Sequence, residues 1–262
     1  MNTGDKGSIG TVDLLRVFWR SLLIQASWSY DGMQSLGFSY ALLPVLKKLY
    51  PDRAEFEARL RLHMEYFNTQ PYLASFILGG VVRLEEERAA GSASASAIDA
   101  AGLKAALMAP LGALGDSFFW GALKPLAAVI AVALVIAGVW WAPILFLALY
   151  NLWHLGLRVS VLFWGYHSSG DALALMERYS FTRMARLFKA ISLSVLGGIL
   201  AGISGWRPEL SPPVPLPVPV QAVAALSCTM VLVAVLRRGG SPIKLMLGLV
   251  LFCLALAYAG VV

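Results

Sequence analysis

The stretch LAAVIAVALVIAGVWWAPILFLAL (126–149) decides the fold class, because it runs for 24 residues without a charge. About 20 apolar residues in a helix cross the ~30 Å hydrocarbon core of a bilayer. Further apolar stretches follow at 150–166, 187–203, 218–236 and 244–262, the first two of them near the short limit. Backbone groups surrounded by lipid must pair within their own segment, so these stretches are predicted as helices and not strands. The sequence therefore predicts an all-α, polytopic membrane protein with about five apolar helices in its C-terminal part.

Charge between these stretches supplies an orientation. Lys104 and Lys124 precede the first, and Arg178, Arg183, Arg186 and Lys189 separate the second from the third. Arg237, Arg238 and Lys244 flank the turn between the fourth and fifth. The remaining connections, near Trp140–Pro143 or Asn151 and across 206–217, carry only Arg207. Basic loops stay on the cytoplasmic side. That rule places the N-terminus inside and the C-terminus outside. The segment WRPELSPPVPLPVPV (206–220) reads as an extended external loop, because proline removes donors and fixes φ.

Composition agrees with this reading. Of the 262 residues, 58% are hydrophobic and only 14% charged, against about a quarter in soluble domains. Mean hydropathy is +0.71. The net charge of +6 fits loops beside anionic headgroups. Nucleic acid is excluded as a partner, since no basic stripe carries interleaved aromatics. Cys228 and Cys253 sit in separate apolar stretches, so packing explains them better than a disulfide or a metal site. Residues 1–13, MNTGDKGSIGTVD, read as a polar tail and not a signal peptide.

The N-terminal half is different. Residues 14–49 mix Trp19, Trp28, Tyr30, Phe38 and Tyr40 with Gln25, Asp31 and Gln34. Arg16 and Arg20 share a helical face, and an amphipathic helix in the membrane interface fits the pattern. Gly32, Gly37 and Pro44 predict a bend or break in it. Asp52 and Glu55 open a polar helix over 53–69 with a capping-box-like start, and Pro71 is expected to end it. A short apolar run follows, which Glu85, Glu86, Glu87 and Arg88 are expected to stop. SASASA (92–97) reads as a flexible linker. One membrane domain is expected over 14–262, with interfacial and re-entrant helices plus the linker in 14–104 and membrane helices in 105–262.

Two apolar segments look interrupted: HMEYFNTQPYLASFILGG (63–80) and KAALMAPLGALGDSFFWGALKP (104–125). Proline and glycine at this density predict broken, re-entrant-like backbone, which membranes tolerate only inside protein or beside a polar cavity. Such segments mark binding sites in transporters, although a re-entrant loop packing on a partner is an equal reading. Asn68 and Gln70 carry amides suited to sugar hydroxyls, but Asn-Thr-Gln before a proline is ordinary helix-stop chemistry, which by itself is the better reading. Asp116 is costly among apolar neighbours and needs a cavity, a partner or an N-cap role. Asn151, His154 and Arg158 fall at i, i+3 and i+7, which predicts an inward face or an interhelical hydrogen-bonding stripe. No P-loop, zinc-spaced His/Cys set or nucleophile elbow occurs, so no catalytic residue, cofactor or metal site is predicted.

Four of these blocks resemble, in order, the IID component of the mannose–fructose–sorbose phosphotransferase family. They are FWRSLLIQASWSYDGMQSLGFSYALLPVLKKLYPD (18–52), HMEYFNTQPYLASFILGGVVRLEEE (63–87), LMAPLGALGDSFFWGALKP (107–125) and NLWHLGLRVSVLFWGYHSSGD (151–171). The chain departs from the family pattern at Gln70, where histidine is usual. It also departs at Ala109 (glycine), Lys124 (arginine) and His154 (arginine). The resemblance implies a non-catalytic membrane subunit that assembles with a IIC subunit, in an oligomer of IIC–IID units. Soluble IIA and IIB then relay phosphate to a hexose such as mannose as it enters. Asn68, Gln70, Asp116, Asn151 and Arg158 become the expected substrate-binding or cavity-lining residues. The alternative is a membrane-embedded regulatory scaffold on the same phosphate relay, without bulk transport.

Overall fold

Local capping chemistry sets where several helices begin. Asp52 accepts a hydrogen bond from the Glu55 N–H (2.9 Å), and Asp99 accepts one from the Gly102 N–H (2.7 Å). Each satisfies an amide that the first helical turn leaves unpaired. The computed structural model describes residues 8–91, 99–171, 180–203 and 218–258. All regular structure among them is helical. The elements are α1 (Thr11–Ser21), α2 (Ser35–Leu49), α3 (Arg53–His63), α4 (Ala74–Ala89), α5 (Ala100–Gly115), a π-helical segment (Asp116–Leu123), α6 (Lys124–Ile136), α7 (Ala142–His167), α8 (Phe181–Ile203), α9 (Val218–Arg237) and α10 (Pro242–Tyr258). The chain forms two compact units, residues 1–193 and 194–262.

In the first unit the core is built from α1, α2, α4, the α5 side of the π segment, and the C-terminal half of α7. Phe38, Leu42, Phe67, Phe76, Ile77, Phe118 and Phe119 are fully buried there. The closest packing joins α4 to α7. A Cβ on Gly79 would overlap the Leu162 carbonyl, and one on Gly165 would overlap the Phe76 carbonyl. The two backbones therefore touch directly, as small residues allow between membrane helices.

Polar ties hold the same helices together. Glu85 on α4 is fully buried and accepts from Tyr50 Oη (2.7 Å) and from Arg59 Nε (3.0 Å) with a second guanidinium nitrogen. His63 Nε2 lies 2.9 Å from Glu85 Oε1. Three donors hold the Glu85 carboxyl at a pKa of about 2, against the pull of burial. Burial and the neighbouring Lys104 and Arg59 push His63 below its ordinary value, so the neutral ring donates from Nε2. Next to it, Glu86 accepts from the Ile9 N–H (2.6 Å) and from Tyr166 Oη (2.5 Å), tying the N-terminal strand of chain to α7.

Several sequence expectations change here. Residues 104–125 are not broken: α5, the π segment and α6 form one helix, Ala100–Ile136, of 37 residues. Pro110 lies inside α5, and the π segment precedes Pro125. A π-bulge accommodates one extra residue per turn without ending the helix. Asp116 has αR dihedrals within this rod and is no N-cap. The other segment, 63–80, is a non-helical stretch followed by α4, and α4 continues through Glu85–Arg88 to Ala89. Helix α3 ends at His63, well before Pro71.

Residues 14–49 divide at 22–34 into α1 and α2, and Pro44 stays inside α2. Proline frees the carbonyl four residues earlier. Here that carbonyl, on Tyr40, accepts from Arg20 (3.3 Å), whose guanidinium also lies over the Tyr40 ring. The expected stretches 126–149 and 150–166 are redistributed as well. Gly138, at φ +84°, closes α6, and Pro143 opens α7, which passes unbroken through Asn151.

Among the described residues, two helices, Ala100–Ile136 and Ala142–His167, are long and apolar enough to cross a membrane. Only 28% and 11% of their apolar windows are buried in the chain, so neither is the core helix of a soluble domain. In the second unit, α9 and α10 are joined at Gly239 (φ +84°), and Leu226, Met230, Leu247 and Leu251 are exposed. Helix α9 begins at Val218, where the apolar stretch 218–236 was expected to start, so residues 218–220 are helical and not part of the extended loop; its 206–217 part and the 92–97 linker lie outside the described residues.

Candidate functional site

Two non-helical stretches, 22–34 and 64–73, are sewn together beside α5. Met33 pairs with Phe67 in an isolated parallel bridge, and the Gln34 N–H donates to the Phe67 carbonyl (2.8 Å). The buried Gln34 amide then grips the Thr69 backbone at both ends, donating to its carbonyl (2.8 Å) and accepting from its N–H (3.2 Å). Thr69 Oγ1 donates to the Met108 carbonyl on α5 (2.9 Å). Met33 adopts φ +52°, an uncommon conformation outside glycine that the surrounding pairings must hold.

These contacts frame a cleft of about 630 Å³ between the two stretches and the α5–π rod. Small-molecule sites typically enclose about 300–1,000 Å³. Gln25, Gln34, Asn68, Gln70 and Asp116 supply its polar groups, and Trp28, Tyr66 and Trp120 its aromatic ones. Ala105, Ala109, Gly112 and Ala113 form a wall of small residues on the rod. Gly115 is needed behind it, because a Cβ there would come within 2.6 Å of the Gln70 side chain. The lining contains one carboxylate and no basic side chain. Amides with a carboxylate, set among aromatic faces, offer donors and acceptors to a polyhydroxylated ligand.

Of the five expected site residues, Asn68, Gln70 and Asp116 line this cleft together. Asn151 does not; its side chain donates to the Leu147 carbonyl one turn back on α7 (2.7 Å). Arg158 is buried elsewhere, donating to Ser75 Oγ (3.2 Å) and to the Ser21 carbonyl. It ties α7 to α4 and to the end of α1. His154, on the same stripe, packs on the Tyr72 ring at 4.3 Å. Gln25, Trp28, Gln34, Tyr66, Thr69 and Trp120 were not singled out as site residues from sequence. Only their place inside the quoted blocks 18–52, 63–87 and 107–125 signals them. No group of three or more metal-ligating side chains occurs among the described residues.

Residues 8–211 match the family described as the IID component of the mannose/fructose/sorbose phosphotransferase system. The chain belongs to this family. It is 36% identical over 190 residues to the mannose-specific EIID component of Escherichia coli (strain K12), covering 72% of this chain and 66% of that relative. The match thus spans about two thirds of that relative's length. It is 28% identical over 253 residues to the sorbose-specific EIID component of Klebsiella pneumoniae, covering 90% and 92%. Among solved structures it is similar to a chain of the mannose transporter ManYZ in complex with microcin E492. That pair shares 28% identity with a TM-score of 0.58, covering 97% and 98%. A second solved membrane protein aligns with a TM-score of 0.72 at 28% identity. This IID chain is thus a membrane protein of the sugar phosphotransferase system.

Proposed function

We propose that this IID chain binds and translocates a hexose such as mannose together with a IIC membrane subunit, within an oligomer of IIC–IID units. Soluble IIA and IIB proteins phosphorylate the sugar, and this chain is not itself catalytic. The observation that carries the reading is the cleft: amides and one carboxylate, with aromatic faces beside them, in a volume suited to a small ligand. The similarity of the chain to a chain of ManYZ supports the IIC partner. Two histidines are poorly placed to accept phosphate, His63 being sealed against Glu85 and His154 stacked on Tyr72.

In this reading Asn68, Gln70 and Asp116 contact the sugar, while Asn151 and Arg158 hold the surrounding helices. The chain sits as one IID-type domain over 14–262 in the bacterial cytoplasmic membrane, its basic loops and N-terminus inside and its C-terminus outside. The test is binding and uptake of labelled mannose by the complex assembled with IIC. Asp116→Asn and Asn68→Ala should each lower binding about tenfold or more while the complex still assembles. Wild-type binding and uptake in both variants would sink the assignment. For orientation, a cysteine at Arg238 should be labelled only from the cytoplasmic side; labelling from outside reverses the topology.

A further inference from the structure

Asn68 is presented to the cleft from a point that the rest of the chain holds still. It is exposed, whereas Phe67 before it is fully buried and Thr69 after it is only 6% exposed. One residue engages both of these neighbours. The Gln34 N–H donates to the Phe67 carbonyl (2.8 Å). The Gln34 side chain donates from Nε2 to the Thr69 carbonyl (2.8 Å) and accepts at Oε1 from the Thr69 N–H (3.2 Å). That pairing fixes which way the amide points, because only its oxygen can face an N–H and only its nitrogen a carbonyl. Gln34 itself is 2% exposed, so it offers a ligand almost no surface of its own.

The bracket is tied to two helices. The Gln34 carbonyl accepts from the Phe38 N–H (2.9 Å), and Gln34 is the residue from which α2 starts. Thr69 Oγ1 donates to the Met108 carbonyl on α5 (2.9 Å), and the Asn68 N–H donates to Met108 Sδ (3.3 Å). The N–H, carbonyl and hydroxyl of Thr69 are therefore all paired, and Asn68 sits between two pinned residues. We infer that Gln34 is the positioning residue of the cleft: it fixes where Asn68 stands against the rod and so sets ligand affinity through Asn68. The inference rests on the reading that the cleft takes a hexose. Hydrogen bonds weaken steeply once stretched or bent, so a contact whose supporting residues are loose is lost even when the contacting side chain is present.

The test measures binding of labelled mannose to the intact complex with IIC, as a Kd and a number of sites. Gln34→Met keeps the volume and loses both hydrogen bonds of the amide. It should raise the Kd about tenfold with the number of sites unchanged. Gln34→Asn keeps the amide but is one methylene too short for the bracket, and it should shift the Kd in the same direction. A purely structural residue would instead lower the number of sites and the unfolding midpoint, leaving the Kd of the remaining sites alone. A double-mutant cycle separates the two roles again. Asn68→Ala should cost about tenfold, and adding Gln34→Met to it no more than about twofold further. Full additivity, about a hundredfold loss in the double variant, means that Gln34 does not act through Asn68 and overturns the inference. An unchanged Kd in both Gln34 variants overturns it too, as does failure of both to assemble with IIC. When Asn68→Ala lowers binding and the Gln34 variants do not, only the positioning role fails. If Asn68→Ala binds normally, the contact and its positioning fall together. Absence of mannose binding by the wild type removes the hexose reading along with this one.

Discussion

The Glu85 anchor and the cleft treat polar groups in opposite ways. Glu85 has its two oxygens shared among Tyr50, at the junction between α2 and α3, and Arg59 and His63, both on α3. The cleft leaves Asn68 and Asp116 exposed. A satisfied network rigidifies its helices, whereas an exposed polar group keeps its water until something pairs with it. The difference teaches that the same fold separates the groups that hold it together from those held ready.

The largest test of that contrast is Glu85→Ala. Removing one partner from a buried charged network costs roughly 3–5 kcal/mol, read as a large fall in the thermal unfolding midpoint in detergent. Asp116→Asn should leave the same midpoint nearly unchanged, within about 0.5 kcal/mol. Equal loss in the two variants would erase the distinction between anchor and cleft. Gly165→Ala should cost roughly 1–3 kcal/mol, because the added methyl overlaps the Phe76 carbonyl and forces α4 and α7 apart.

A pH series sharpens the picture further. His63 has its pKa lowered by folding, so the unfolded chain binds more protons and stability falls as pH drops below about 6.5. Glu85 is depressed from 4.5 to about 2, and its stabilisation is lost as pH falls from near 4.5 toward 2. Midpoints from pH 8 to 3 should therefore decline in two stages, with Glu85→Gln flattening the lower one. Stability that rises on acidification would contradict both assignments. The smallest expected effect is Asp52→Ala, which removes the α3 cap at a cost of about 1 kcal/mol and should leave sugar binding unaltered.

Much of the helical architecture was legible in the sequence because it depends on local signals. Apolar stretches marked α6 to α10, and Asp52 with Glu55 marked the start of α3. Pro44 and Pro110 misled, since a proline breaks a helix only when its surroundings cannot absorb the freed carbonyl and the altered register. Arg20 supplies such compensation at Tyr40, from 20 residues away. For the site, Asn68, Gln70 and Asp116 were readable as polar residues in apolar company. Arg158 shows the same signal for another reason: its partners Ser75 and Ser21 lie 83 and 137 residues distant. Polarity in an apolar stretch says that a partner exists, but spacing alone does not say whether that partner is ligand or protein.

The continuity of Ala100–Ile136 has a geometric consequence. At 1.5 Å per residue the rod is about 55 Å long, and it carries the cleft wall on one part and an apolar surface on the other. The same unbroken backbone runs from Val132–Ile136 to Ala105, Ala109 and Trp120 in the cleft wall.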